Sequence, residues 1–206
     1  MARQTTKLWS PRGELKYPHL VQPDTKFDAD GVYSTKIVIA SENCQEFMES
    51  IDGIVQKGFD KWAGENKAKA KKTRKILPWQ DEVDDDGNET GNIVFNFKVK
   101  SKGQSKNGET WDNKVTLIDS KGAPVSGVNP WSGTVARVGV EIGDPDFPYA
   151  NPAGVGVPVR LKICKIIELK AGNNGTAGFD VEAEDGFSAD QVEEDSFEET
   201  DDNDDL

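Results

Sequence analysis

Residues arranged for acid–base or covalent chemistry are hard to find in this chain. His19 is its single histidine, so His-based triads, His-rich metal sites and most general-base schemes lack their central residue. The stretch Gly103-Gln-Ser-Lys-Asn-Gly108 starts like a phosphate loop, but Glu109 stands at the lysine position and would repel phosphate. Asp84, Asp86 and Asn88 have the opening spacing of a calcium loop, yet Glu89 occupies the place of the turn glycine, and a hairpin turn is the plainer reading. Cys44 and Cys164 lie far apart within apolar patterns and read as buried thiols rather than a disulfide or metal pair. The expectation is a non-enzyme with no cofactor and no metal.

Cations and flat rings are what the chain does supply. Residues 67–75 carry six bases in nine positions, Lys67, Lys69, Lys71, Lys72, Arg74 and Lys75, and Trp79 follows directly. A helix end needs fewer cations than that to suit its dipole. Lys98 and Lys100 share one face of a predicted strand, and Arg160 and Lys162 share one on the last strand. Those four stand equally for a solvated face or a ligand face. Trp111, Trp131 and Tyr149 fall beside Gly, Asn or Pro in predicted loops, where aromatic residues are poor core candidates. Cations along a phosphate track and rings on which bases stack are the two requirements of single-strand binding. Tyr33 reads as half-core, and Trp9 and Trp62 as packing.

The elements that must hold these residues are mostly strands. Residues 15–22, 31–40, 93–100, 115–118, 133–142 and 155–169 show strand patterning with turn signals between them. In 93–100 alternation sends Phe95, Phe97 and Val99 one way and Asn96, Lys98 and Lys100 the other. In the last strand Val157, Val159, Leu161, Ile163 and Ile167 are expected to share the inner face. From Ser41 the period changes: Cys44, Phe47, Met48, Ile51, Ile54, Val55, Phe59 and Trp62 recur at three and four, an amphipathic helix capped by Ser41 or Asn43. Many short strands around one helix predict a small closed antiparallel barrel.

Charge divides the chain in two. All 25 Lys and Arg lie in residues 1–170 against 23 acids, a balance of +2, whereas residues 171–206 carry 14 acids and no base. The barrel is therefore assigned to 1–170, and 171–206 to an acidic tail too poor in apolar surface to order itself. Such a polyanion can occupy a basic groove until nucleic acid displaces it. No run of 18 apolar residues exists and no apolar segment follows Met1, so neither a membrane span nor a secretory signal is expected, and the cytoplasm is the expected compartment.

The order of these features resembles the replication single-stranded DNA-binding proteins of tailed bacteriophages, the short-tailed coliphage type. The resemblance runs over nearly the whole chain: Gly31-Val32-Tyr33 entering a strand, the Cys44 helix, the basic segment before Pro78-Trp79, and Phe95-Asn96-Phe97-Lys98. It continues through Asp119-Ser120-Lys121-Gly122, Pro148-Tyr149, Gly154–Lys162, Glu168-Leu169 and the acidic end. It implies an OB fold, a five-stranded antiparallel barrel with one capping helix, and sequence-tolerant binding of single-stranded DNA in the host cytoplasm during replication, recombination and repair. It further implies a tail that recruits DNA polymerase and helicase-primase. By position, Arg74 and its lysine neighbours, Trp79 and Tyr149 match the family's DNA-contacting regions. Such tails end in an aromatic residue; this one ends Asp204-Asp205-Leu206, which makes Leu206 or Phe197 the candidates for partner docking. Homodimer formation stays open. The competing readings are an RNA chaperone on the same fold, an acidic module that binds basic proteins and no nucleic acid, and, most distant, a nuclease built on Asp84–Asp86.

Overall fold

The computed structural model describes residues 4–105 and 107–170. The expected disorder of the acidic tail and the docking roles of Phe197 and Leu206 concern residues outside those described.

In chain order the elements are β1 (Thr6–Trp9), β2 (Gly13–Asp24), β3 (Val32–Ala40), the helices α1 (Ser41–Glu65) and α2 (Lys67–Ala70), then β4 (Trp79–Val83) and β5 (Glu89–Lys100). The second half holds β6 (Lys102–Gln104), β7 (Thr110–Asp112), β8 (Thr116–Ile118), β9 (Val135–Ile142), β10 (Tyr149–Asn151), β11 (Gly154–Gly156) and β12 (Val159–Glu168). Five of the strands close a ring in the order β9, β2, β3, β5, β12 and back to β9. A ring of five cannot alternate direction all the way round. The one parallel neighbour pair falls between β5 and β12, with Lys98 beside Arg160. The barrel is thus the expected mainly-β OB type, antiparallel at every other seam of the ring.

Alternation fills the barrel as the sequence predicts. Phe95, Phe97, Leu15, Ile37, Val138 and Leu161 are fully buried, each contributing about 1.5–3 kcal/mol relative to exposure. Phe95 and Phe97 stack at 6.0 Å, and Phe47 of α1 meets them at 5.3 and 6.3 Å, so the helix closes over the rings inside the barrel. Cys44, Ile51 and Val55 complete the buried stripe of α1. Tyr33 is buried rather than half-core, and Trp62 is half-buried against Phe59. Both cysteines are buried free thiols; burial pushes Cys164 up to about 12 and Cys44 upward.

Three local expectations are corrected. Neither Ser41 nor Asn43 caps α1: its N-cap is Ala40 at ψ 135°, with no side-chain cap hydrogen bond. The strand conformation of β3 runs straight into the helix, leaving no loop in which a capping side chain could fold back. In β12 the inward residues are Leu161, Cys164 and Ile166, because a register shift between Leu161 and Ile163 turns Ile163 and Ile167 off the core. One extra residue in a ladder reverses alternation beyond it. Trp9, expected to pack, is 41% exposed. It ends β1, an edge strand paired only with β9, so nothing covers its outer side.

Candidate nucleic-acid interface

The outer face of the barrel brings separate cations into rows. Across β2, β3 and β5 the register aligns Lys16, Lys36 and Asn96 in one row, and His19, Ser34 and Lys98 in the next. The parallel seam extends the second row to Arg160 of β12. Outward positions on neighbouring strands stand about 5 Å apart, so Lys98 and Arg160 share one patch of surface. Among the described residues neither makes an ion pair. Lys16 does: its ammonium is 2.5 Å from Glu82 Oε1, which neutralises that end of the first row.

An open groove of about 1000 Å³ runs over this face, and six of the residues singled out from sequence line it: Lys98, Lys100, Trp111, Tyr149, Arg160 and Lys162. Its walls are two hairpins, β6–β7 and β10–β11. In each hairpin the ring stands directly across from a glycine: Trp111 from Gly103, Tyr149 from Gly156. A Cβ on Gly103 would lie 2.3 Å from the indole, and one on Gly156 would lie 2.9 Å from the Tyr149 hydroxyl oxygen. Each ring therefore rests one face on bare backbone and stays partly open, 49% exposed for Trp111 and 38% for Tyr149. A ring held flat in this way loses little rotamer freedom when a base stacks on it. Burial raises the Tyr149 hydroxyl above its usual pKa, so it stays neutral.

Acids at the groove's edge trim its charge without cancelling it. Lys100 is 2.9 Å from Asp28, Lys102 is 3.2 Å from Asp30, and Lys162 is 3.8 Å from Glu141. Hydrogen bonding to Asp28 raises Lys100, and the Lys100 ammonium in turn lowers Asp28. A phosphate can compete for these lysines at small cost, because each keeps 40% or more of its side chain exposed.

A second cavity of about 430 Å³ shares Lys98, Tyr149 and Val159 with the groove and adds Trp79, Lys36 and Asn96. Trp79 has two jobs. Its ring packs 5.8 Å from Phe95 while its remaining surface lines this cavity. Arg74 stands at the rim, its Nε donating to the carbonyl of Ala153, which also lines the cavity. Its own carbonyl accepts from Val155, and a Cβ on Gly154 would lie 2.3 Å from that oxygen. Gly154, at φ +142°, is what allows the basic segment to lie against the β10–β11 hairpin.

The rest of the sequence-derived set is scattered. Lys69, Lys71 and Lys72 are exposed on and after α2 but line neither cavity. Lys75 is held by Asp52 of α1. Trp131 lies in a separate cleft with Tyr17 and His19. Two lining cations went unread in the sequence. Lys36 alternates with the inward Thr35 and Ile37, a signal that was there to use; Lys102 shows only as one more lysine in a glycine-rich loop. The Asp84 turn is the hairpin it was read as: Asp84 Oδ1 accepts from the backbone N–H groups of Asp86 and Asn88 at 3.0 and 2.8 Å. These bonds, led by Asn88, lower the Asp84 carboxyl.

Comparison with known proteins matches this arrangement. The family model described as "Single-stranded DNA-binding protein, Bacteriophage T7" matches residues 12–170. Among solved structures, gp2.5, a single-stranded DNA-binding protein encoded by bacteriophage T7, superposes with a TM-score of 0.64 at 24% identity, covering 91% of this chain and 100% of its own. The single-stranded DNA-binding protein of bacteriophage Enc34 superposes at 0.51 with 15% identity, over 84% of this chain and 86% of that one. Its C-terminally truncated form gives 0.50 at 12% identity, over 81% and 86%. No curated protein sequence matches. At these identities the structures speak for the fold, while the model spans most of the chain. The chain therefore belongs to the bacteriophage T7 single-stranded DNA-binding protein family, whose members bind DNA rather than turn over a substrate.

Proposed function

We propose that this chain coats single-stranded DNA without sequence preference during phage replication, recombination and repair, seating the strand in the groove between the β6–β7 and β10–β11 hairpins. The observation that carries the reading is the pair of glycine-backed rings, Trp111 and Tyr149, lining the same groove as the unpaired Lys98 and Arg160. Rings offer stacking to every base, and the cations follow a backbone common to every sequence, so the arrangement has affinity without a code. The domain of residues 1–170 carries the strand, and the acidic tail competes with DNA for the groove and recruits the phage polymerase and helicase-primase.

The test is quenching of tryptophan fluorescence by poly-dT. Trp111→Ala and Tyr149→Ala each weaken binding by about 1–3 kcal/mol per stacked base. Lys98→Glu with Arg160→Glu lowers the slope of log affinity against log salt, because fewer counterions leave on binding. Wild-type affinity and salt slope in all of these variants would place the strand on another surface.

A further inference from the structure

The cleft around Tyr17 is the feature that the groove does not explain. Tyr17 is 68% exposed and has φ +50°, the one non-glycine residue in the left-handed region among the described residues. A side chain there is strained, and such strain persists where surrounding structure imposes it. The imposing structure is visible. Pairing of β2 with β3 breaks between Lys16 and His19, and the Tyr17 N–H donates instead to Ser132 Oγ at 2.9 Å. The break turns the ring outward into a cleft of about 340 Å³ shared with Trp131, which is itself 55% exposed. Pro18 and Pro130 stiffen its sides; His19 and Gln22 supply hydrogen-bonding groups. Burial does not offset the strain, since the ring stays largely in solvent.

One cation joins the cleft to the second cavity, which meets the groove at Lys98, Tyr149 and Val159. The Lys36 ammonium lies 5.8 Å from the Tyr17 ring centroid, and the Lys36 side chain also lines the cavity that contains Trp79 and Tyr149. A phosphate on Lys36 would therefore have an aromatic wall on either side. Resting on the groove reading above, we infer that Tyr17 and Trp131 form a second stacking station, which takes a base of the same strand after it leaves the groove past Lys36. The occupant is the nucleobase of single-stranded DNA; continuity through a cation that lines the cavity adjoining the groove favours it over a protein partner.

Strand length separates the two stations. Oligo-dT from about 4 to about 16 nucleotides, the range of site sizes for one such barrel, is titrated against the full chain and its variants. Trp131→Ala and Tyr17→Ala match wild type on the shortest strand and lose roughly 5- to 150-fold on the longest, the equivalent of one stacked base. Tyr17→Gly removes the ring and the strain together, so it melts at or above the wild-type temperature yet shows the same loss on long strands. Trp131→Phe restores the long-strand affinity in part. Wild-type binding at every length by Tyr17→Gly and Trp131→Ala overturns the inference, leaving the cleft to another occupant; so does an equal loss at every length. If Trp111→Ala instead leaves short-strand binding intact, the groove reading itself is what fails.

Discussion

Aromatic side chains in this protein divide by what lies behind them. Trp111 and Tyr149 are backed by glycine backbone and keep a face open, whereas Trp79 is backed by Phe95 and belongs partly to the core. Trp79→Ala should therefore lower stability and affinity together, by roughly 2 kcal/mol in a thermal melt given that the ring is only half buried. Trp111→Ala should lower affinity alone. A Trp79 variant that melts like wild type would remove its packing role. Glu82 gives the residue scale its pH dependence. Lys16, then Thr90 and Asn92, donate hydrogen bonds to it and hold its carboxyl down from 4.5 to about 2. A carboxyl with a depressed folded pKa stabilises the fold above its unfolded pKa and loses that contribution as pH falls. Stability should drop between about pH 4.5 and 2, by about 1–2 kcal/mol after allowing for solvent around Lys16. Glu82→Gln should flatten that part of the melting-temperature profile, and an unchanged profile would show that the bond to Lys16 is not formed in solution.

At the scale of elements, α1 offers a controlled comparison between two glycines. Gly53 lies on its exposed side with nothing near the position of a Cβ, while a Cβ on Gly58 would meet Val157 Cγ2 at 2.7 Å. Gly53→Ala should stabilise by about 0.5–1 kcal/mol, from helix propensity and a less flexible unfolded chain. Gly58→Ala gains the same propensity but must push the helix from β11 and its neighbours, for a net loss of about 1–2 kcal/mol. Denaturant midpoints measure both, and equal shifts would mean that the helix-to-hairpin contact is looser than drawn. On the proposed groove reading that contact bears on function, because the hairpin beside α1 is the one that carries Tyr149. The strands tell a parallel story. Their alternation was legible in the sequence except at the irregular stretches of β2 and β12; in β12 the shift after Leu161 put Cys164 and Ile166 inside in place of Ile163 and Ile167. The sequence did carry a mark of the bulge, since strict alternation from Leu161 would send Lys165 inward.

For the whole molecule the governing quantity is the division of charge, +2 over residues 1–170 against 14 acids and no base in residues 171–206. A tethered polyanion has an effective concentration of order millimolar near a basic groove, so even weak contact competes with DNA. Deleting residues 171–206 should tighten oligo-dT binding at low salt, and the gain should shrink as the Debye length falls from about 30 Å at 0.01 M to about 8 Å at 0.15 M. Equal affinities for full-length and truncated protein at low ionic strength would leave partner recruitment as the tail's only role. The sequence by itself determined the properties that depend on near neighbours in the chain: which face of each strand is apolar, where the helix lies, how the charge divides, and which rings fall in loops. What only the tertiary structure decided is which of those residues meet. Lys98 and Arg160 became neighbours because five strands cannot close a ring without one parallel seam. Trp111 and Tyr149 each rest on backbone because hairpin register set them opposite a glycine. Trp131, the same kind of loop residue by sequence, went to a different cleft because its segment lies against β2 instead. Residue type specifies the chemistry available at a position, and long-range register, set by the packing of the whole barrel, specifies its company.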